Sequence, residues 1–279
     1  MRRIKAKEIE NKVCEAALKA NFELRKDVLR SLGIARNKET VPIAGKMLDI
    51  LIENAKIAKK EKLAICQDTG MVVVFCRIGS KAQIIGDINE AINNGIKTAY
   101  KRGFLRKSVV RDPLKRTNAN TNTPCVIHYD IISGNKIKIA VMPKGFGSEN
   151  SGAVKLFNPT ATEAQIKEFI ISKVKEAGSS ACPPVVLGIG IGGTLDKAAS
   201  LAKEALLRQI GSRNPKKHIA LLEKEILYAL NKTGIGPMGL GGKTTCLAVN
   251  ILEYPTHIAG LPVCVNISCH ALRSAEVII

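Results

Sequence analysis

The chain has 279 residues, of which 46% are hydrophobic and 24% charged, so it can bury a large core and has the composition of an ordinary soluble protein. No apolar run approaches the roughly 18 residues that span a bilayer, and the basic N-terminus leads into an amphipathic pattern, so we expect a cytoplasmic protein without a signal peptide. The net charge of +19 favours nucleic acid, an acidic partner or an anionic substrate, although 4% aromatic residues without Trp are poor material for stacking on bases.

The N-terminal part of the chain is predicted to be mainly helical. Apolar residues at helical spacing predict one helix over 4–32 that closes at Gly33, and a second helix over 42–62. The continuous apolar run at 71–76 predicts a buried strand, and a further helix is expected over about 81–101.

A β-hairpin is expected in the middle of the chain, after a loop rich in Asn and Thr. Strand patterns at 125–132 and 136–142 flank a Ser-Gly-Asn turn, and the alternation of Lys and Ile gives the second strand one wet face. These two strands are therefore predicted to pair, with a glycine-containing loop following at 143–150.

The C-terminal half alternates strands with helices. Helices are predicted over about 160–177, 194–210 and 218–232, and strands over 185–191, 245–252 and 262–268. No repeat, linker or change in composition marks a boundary, so residues 1–279 are expected to form one domain. Because strands and helices interleave throughout, the fold class is α/β or mixed α+β, with helices packed around mixed β-sheets.

Three of the eight cysteines lie in settings typical of ligands. Cys66, Cys182 and Cys269 each stand at the edge of a strand-like or turn-like segment rich in Gly, Pro or small polar residues. Three thiolates meeting without a fourth would hold a metal centre and leave one coordination position open, which distinguishes a catalytic site from a structural one. The other five cysteines lie in apolar patterns that indicate core packing, at 14, 76, 125, 246 and 264. No CxxC pair occurs, so any metal site must combine distant segments.

Two glycine motifs resemble nucleotide-binding signatures only in part. GIGIGG at 188–193 follows an apolar strand and opens a helix, as the dinucleotide fingerprint requires, but no second strand with an acidic end follows that helix. We therefore favour close strand–helix packing there, or an anion at the helix N-terminus. The P-loop-like run at 237–244 begins with Pro237 instead of glycine and follows a helix, which leaves Lys243 and its neighbouring amides as a possible anion pocket.

Five motifs together resemble the iron–sulfur hydro-lyase family, which contains class I fumarases and L(+)-tartrate dehydratases. They are, in order, ICQDTG at 65–70, GSSACPP at 178–184, GIGIGGT at 188–194, GLGGKT at 239–244, and the segment from THIA at 256–259 to CHA at 269–271. The resemblance spans about residues 10–275 and is closest to the α, or N-terminal, part of the family. It implies a fold similar to the N-terminal domain of class I fumarases.

The resemblance implies a metal cofactor and a set of substrate contacts. The family's [4Fe–4S] cluster would be held by Cys66, Cys182 and Cys269, with the fourth iron open to the substrate. Gln67 and Asp68 match residues that contact substrate, and the family's Asp is implicated in proton transfer. Such chemistry needs a Lewis acid for the departing hydroxide and a nearby group that moves the proton.

Further implied contacts lie outside the cysteine loops. Arg106 matches an arginine that binds a substrate carboxylate, a task suited to its forked guanidinium. Gly145 and Gly147 fall in the substrate loop, where Phe146 departs from the family's run of glycines, so either glycine can offer its amide. His257 matches an active-site histidine. His270, beside Cys269, is expected to orient its loop.

The resemblance also implies a partner and a reaction. Single-chain members of the family continue into a second domain, so this chain is expected to be the α subunit of an αβ or α2β2 enzyme, with a β subunit supplying further basic residues. The implied reaction is reversible hydration of fumarate to L-malate, with dehydration of L(+)-tartrate to oxaloacetate as the alternative. From other classes, we keep a basic nucleic-acid-binding module and a dinucleotide-dependent oxidoreductase as alternatives; neither nucleic acid nor a membrane is the expected partner.

Overall fold

The computed structural model of the chain describes residues 2–279 and contains eight α-helices and ten β-strands in that range. The helices are α1 (Ala6–Phe22), α2 (Lys26–Lys38), α3 (Pro42–Glu61), α4 (Ile88–Arg102), α5 (Phe146–Glu149), α6 (Glu163–Ala177), α7 (Leu195–Ala205) and α8 (Lys217–Asn231). The strands are β1 (Arg2–Lys5), β2 (Met71–Gly79), β3 (Ala82–Ile85), β4 (Val126–Ile132), β5 (Ile137–Lys144), β6 (Ala153–Phe157), β7 (Val185–Gly192), β8 (Cys246–Tyr254), β9 (Leu261–Ser268) and β10 (Ala275–Ile278). The α/β class is confirmed.

The chain divides into two compact units. The first unit contains the chain up to Arg25, Asn54–Phe146 and Arg273–Ile279, and the second contains Lys26–Glu53 and Gly147–Leu272. The expectation of one continuous domain over residues 1–279 stays a prediction. No helix within residues 2–279 is both long and apolar enough to cross a membrane.

The first unit is built on a four-stranded sheet in the order β10-β5-β2-β4. Strand β5 is antiparallel to β10 and to β2, whereas β4 is parallel to β2. Helices α1 and α4 pack together, and side chains such as Ile9, Ile96, Val74 and Ile139 form a core without solvent exposure. Strand β1 pairs in parallel with β3 as a separate two-stranded sheet.

The predicted hairpin between the strands around 125–132 and 136–142 is wrong, because β2 lies between β4 and β5. The turn after β4 crosses the end of β2 instead, where Lys81 N donates to Gly134 O at 2.8 Å and Gly79 N to Lys136 O at 2.9 Å. A Cβ on Gly79 would lie 2.6 Å from Gly134 O, so this close crossing requires glycine. The apolar run of β2 fits this central place, because consecutive residues 72–76, which point to opposite faces of the sheet, are all buried.

The predicted helix over 4–32 is also wrong as a single element. Residues Arg2–Lys5 form β1, the chain is extended at Glu23, and a new helix, α2, contains Gly33 in its interior instead of ending there. The apolar spacing continues across the break, so periodicity alone does not reveal it. The helix expected over 81–101 likewise begins later, at Ile88, after β3 and an Asp87 side chain that caps it through Glu90 N.

The second unit contains a sheet in the order β6-β9-β7-β8. Strand β7 is parallel to β8 and antiparallel to β9. Alternate side chains of β7 face opposite sides of the sheet, so Val185, Leu187 and Ile189 pack with α6 and α8, whereas Gly188 and Gly190 face α7.

The glycines of GIGIGG allow α7 to lie directly on the sheet. A Cβ on Gly188 would be 2.0 Å from Ala202 O, and one on Gly190 would be 2.0 Å from Ala198 O. No side chain fits at those distances, so close strand–helix packing, which the sequence favoured, is confirmed for this motif.

Candidate functional site

The eight cysteines separate into two groups by burial. Burial raises the pKa of Cys76, Cys125 and Cys246 to about 12 and that of Cys264 to about 11, and it also raises the pKa of Cys14. Metals bind the thiolate, so these five core thiols are poor ligands. The three half-buried cysteines are Cys66, Cys182 and Cys269, the three that the sequence selected.

Cys182 is held in a left-handed backbone conformation at the start of the second unit's sheet. It follows a short 3-10 turn, Gly178–Ala181, with φ 51° and ψ 63°, and its amide donates to Ser179 O at 2.9 Å. A non-glycine residue in this region costs about 1–3 kcal/mol, and such residues cluster at functional sites. The sequence after it enters β7 through Pro183 and Pro184.

Cys269 lies at the same end of that sheet as Cys182. Because β7 and β9 are antiparallel with Val186 opposite Ser268, the start of β7 meets the end of β9. Two contacts join the loops: His270 N donates to Cys182 O at 3.3 Å, and the His270 ring Nδ1 lies 3.0 Å from the same oxygen. These contacts join the two cysteine loops, and the expected role of His270 in orienting a ligand loop stays a prediction.

The glycine loop at 236–244 completes this end of the sheet, since β8 starts beside β7 with Cys246 opposite Val185. Met238 N donates to Pro183 O at 2.7 Å, and a Cβ on Gly239 would lie 2.6 Å from the Ser179 Cβ. Gly147, one of the expected substrate glycines, also lies here, because its Cβ position is 3.5 Å from Ser180 O.

The anion pocket expected at Lys243 is filled by a carboxylate of the chain itself. Glu39 is only 8% exposed, and its Oε2 accepts from Lys243 N at 2.7 Å. Burial acts to raise the pKa of Glu39, but hydrogen bonds from the amides of Val41, Lys243 and Thr40 together hold it below its ordinary value. The Lys243 amide of this loop therefore binds Glu39.

His257 lies at the opposite end of the second unit's sheet from Cys182 and Cys269. It is exposed in the turn between β8 and β9, where Thr256 Oγ1 donates to Gly193 O at 2.9 Å and Ala259 N donates to His257 Nδ1 at 3.1 Å. The eight residues of β9 separate it from Cys269 by roughly 25 Å at a strand's rise per residue. This unit does not bring His257 to the cysteines, and its catalytic role stays a prediction.

In the first unit, the loop at 65–70 is fixed by hydrogen bonds to its backbone. The Tyr100 hydroxyl donates to Thr69 O at 2.5 Å, and Asn122 Nδ2 donates to Gly70 O at 3.1 Å. Thr69 Oγ1 in turn donates to Arg106 O at 2.6 Å. Arg106 therefore lies beside the loop, with an exposed side chain.

Asp68 and Gly145, two of the predicted site residues, are adjacent in the first unit. Asp68 Oδ2 accepts from Phe146 N at 2.7 Å, and Oδ1 accepts from Gly70 N at 3.0 Å. A Cβ on Gly145 would lie 3.2 Å from Asp68 Oδ2, so glycine leaves the carboxylate uncrowded. Gln67 is exposed beside them, and its Oε1 lies 3.3 Å from Cys66 Sγ.

Sequence reasoning missed one charged residue at this place, Arg273. Its side chain is 2% exposed, and Nη2 donates to Asp68 O at 2.7 Å. One arginine among 43 basic residues gives no local signal of burial. Only the proximity of the segment before β10 to the 65–70 loop reveals it.

Cys66 belongs to the first unit, and Cys182 and Cys269 belong to the second. Within residues 2–279, no group of three or more His, Cys, Asp or Glu side chains is arranged to hold a metal ion. The donor set itself suits a soft iron–sulfur centre, because it consists of loop thiols separated from the buried core thiols.

Comparison with known proteins shows similarity along nearly the whole chain. A family model described as fumarate hydratase (Fumerase) matches residues 10–278. A putative L(+)-tartrate dehydratase subunit alpha from Methanocaldococcus jannaschii is 43% identical over 274 residues, which cover 96% of each chain. The L(+)-tartrate dehydratase subunit alpha of Escherichia coli K12 is 29% identical over 257 residues, or 91% of this chain and 84% of that protein. That of Escherichia coli O157:H7 is 28% identical over 257 residues.

Proposed function

The chain belongs to the fumarate hydratase family, and from this premise we propose that it is the α subunit of a hydro-lyase that reversibly hydrates a small dicarboxylate, fumarate to L-malate. The observation that carries this proposal is the pair of contacts from His270 to the Cys182 carbonyl, because they place two loops with half-buried thiols at one sheet end. Two of the three proposed ligands thus come from separate motifs and lie in loops at the same end of the second unit's sheet.

The proposed cofactor is a [4Fe–4S] cluster bound by Cys66, Cys182 and Cys269, with one iron lacking a protein ligand. The half-buried state of these three thiols and the burial of the other five support this choice. When bound, such a cluster supplies a Lewis acid that stabilises the departing hydroxide. Its one open position also explains why three cysteines suffice.

The chain's own residues are assigned to binding and proton transfer. Asp68 is the proposed proton carrier, since its carboxylate is fixed by two amides and faces the unobstructed Gly145. Gln67 and Arg106 have exposed side chains that can bind substrate carboxylates, and Gly145 and Gly147 allow close approach to the backbone.

His257 keeps a proposed part in proton transfer on the strength of the family resemblance. The THIA motif around it is the support for this assignment, and its exposed ring is open to solvent and to partners. Its separation from Cys269 along β9 makes it the assignment that most needs a direct test.

L(+)-tartrate is the second candidate substrate, because the relatives named above carry tartrate dehydratase names. L-malate and L(+)-tartrate are both 2-hydroxydicarboxylates, so the same thiols, carboxylate and arginine can serve either one. An assay of the αβ complex with L-malate and with L(+)-tartrate decides between them. The proposal fails if the cluster-containing complex dehydrates neither.

We also propose that a β subunit binds this chain, and the subunit names of the relatives support it. A candidate surface for that contact is the segment 101–116, which has seven Lys or Arg residues and a single acid, Asp112. It exposes Phe104 at 97% and Leu114 at 90%, and apolar side chains within a basic surface suit an acidic protein partner. The expected cytoplasmic location stays a prediction.

The contact with the β subunit is testable by co-purification. Leu114→Asp combined with Arg111→Glu should release the β subunit while the α chain stays folded, because both residues lie outside the described core. An unchanged yield of complex would remove this segment from the interface.

A further inference from the structure

Arg273 carries a buried charge that the proposed reaction does not yet use. The residue is 2% exposed, and its Nε atom has no hydrogen-bond partner among residues 2–279. Its second terminal nitrogen, Nη1, makes only a long contact of 3.5 Å with Asn21 Oδ1. Burying a guanidinium with incomplete hydrogen bonding is unfavourable, and such groups in native proteins need an explanation.

The one short hydrogen bond of Arg273 goes to Asp68. Nη2 donates to the Asp68 carbonyl at 2.7 Å, and the same nitrogen lies 3.6 Å from the Cβ position of Gly145. Asp68 Oδ2 lies 3.2 Å from that Cβ position. The guanidinium and the carboxylate therefore border the same space above Gly145.

Other residues hold the 65–70 loop, but at different atoms. Tyr100 and Asn122 bind the carbonyls of Thr69 and Gly70, while Gly70 N and Phe146 N bind the Asp68 carboxylate. Arg273 is the group that fixes the Asp68 carbonyl. That peptide plane fixes the backbone torsion at Asp68, so it contributes to the orientation of the Cα–Cβ bond from which the carboxylate extends.

We propose that Arg273 is a positioning residue that aims the Asp68 carboxylate at the space beside Gly145. This inference rests on the proposed function for its effect on catalysis, although the positioning itself does not depend on that function. The contact with Asp68 accounts for burying Arg273 although its Nε and Nη1 atoms are incompletely hydrogen-bonded. Native proteins contain such unfavourable local arrangements mainly at functional sites. Its positioning effect is exerted through the short hydrogen bond to the Asp68 carbonyl.

The test compares Arg273→Met and Arg273→Lys with Tyr100→Phe in the cluster-reconstituted αβ complex. Arg273→Met keeps much of the side-chain length but removes the donor, so kcat for L-malate dehydration should fall about 100-fold with KM nearly unchanged, since small misplacements of a catalytic group cost that much. Arg273→Lys keeps one donor and should recover part of kcat. Tyr100→Phe removes loop hydrogen bonds but leaves the Asp68 contact, so it should lower Tm and keep kcat.

A second measurement separates this inference from the proposed function. Amide hydrogen exchange of peptides covering 66–70 and 145–147 should accelerate in Arg273→Met, whether or not the enzyme acts on L-malate. An inactive wild-type complex would refute the proposed function and leave the exchange result to decide the role of Arg273. Unchanged exchange in both Arg273 variants, or an unchanged kcat in an active complex, would overturn the positioning role.

Discussion

The two ends of the second unit's sheet use similar sequence material for different purposes. At the end where β7 starts, specific contacts hold the backbone: the His270 ring lies against the carbonyl of the left-handed Cys182, and Glu39 accepts from the amide of Lys243 in the glycine loop. At the other end, the glycines of 188–193 serve helix packing, and His257 is exposed. Glycine-rich motifs therefore identify places where the backbone is closely approached, and the fold is needed to show whether a helix, a carboxylate or another loop lies there.

The largest expected effect comes from the end of the sheet where β7 starts, which carries the loops of Cys182 and Cys269. Cys182→Ser in the αβ complex should abolish the visible absorption of the reconstituted cluster and all hydro-lyase activity, because a thiolate ligand is lost. The matched control is Cys264→Ser in β9, whose thiol is buried among core residues. That control should keep the cluster, and a cluster lost equally in both variants would contradict the division of the cysteines.

The far end is tested with His257→Asn. If His257 transfers a proton, kcat should fall about 100-fold, the lower range for general acid–base catalysis, while Tm stays unchanged because the ring is exposed. Steady-state kinetics and a thermal melt of the same αβ preparation measure both quantities. An unchanged kcat would remove His257 from the proposed catalytic residues.

The packing role of the glycine run predicts a loss of stability. Gly190→Ala places a Cβ 2.0 Å from Ala198 O, so the helix must shift, at a cost of about 3 kcal/mol in unfolding free energy. Gly33→Ala is the control, since nothing lies within 4 Å of its Cβ position in α2, and it should gain about 0.5–1 kcal/mol. Urea denaturation that shows equal effects would contradict the close packing of α7.

The hydrogen-bonded carboxylate of Glu39 should make the free energy of unfolding depend on pH in the acid range. The pKa of Glu39 in the folded chain lies below its ordinary value of 4.5. The charged carboxylate therefore stabilises the folded state fully at pH values above 4.5, and this stabilisation is lost as the pH falls through the folded-state pKa. Glu39→Gln should therefore cost about 2 kcal/mol at pH 7 and much less at the acid end of the titration. Unfolding measured across this pH range checks the sign, and a pH-independent difference would show that the charge of Glu39 is unimportant.

Local patterns predicted much of the fold. Strong periodicity or clear end signals in the sequence mark several elements, namely β2, α3, α6, α8 and the step from β7 to α7. Strands β1, β3, β6 and β10 were missed because each has only four or five residues, which is too short for a periodic signal. The hairpin error arose because strand pairing is a long-range property that a turn signal does not determine.

The residues of the candidate site were selected in two ways. Cys182 and Cys269 were selected from their segments rich in Gly, Pro or small polar residues, whereas Asp68 and Gly145 came from the family resemblance. The structure makes the two thiols half-buried and gives Asp68 a hydrogen bond from Phe146 N, while their catalytic roles stay predictions. The roles of Arg273 and Glu39 depend on contacts between segments about 200 residues apart, at distances of 2.7 Å in both cases. No local pattern marks such contacts, so these two residues required the fold.

The most direct test of the proposed iron–sulfur centre is iron and acid-labile sulfide analysis of the active αβ complex. We expect about four irons and four sulfides per α chain. Activity should rise and fall with this content as the cluster is built and removed under anaerobic conditions. Full activity in a complex without iron would show that the three half-buried cysteines do not hold a catalytic cluster.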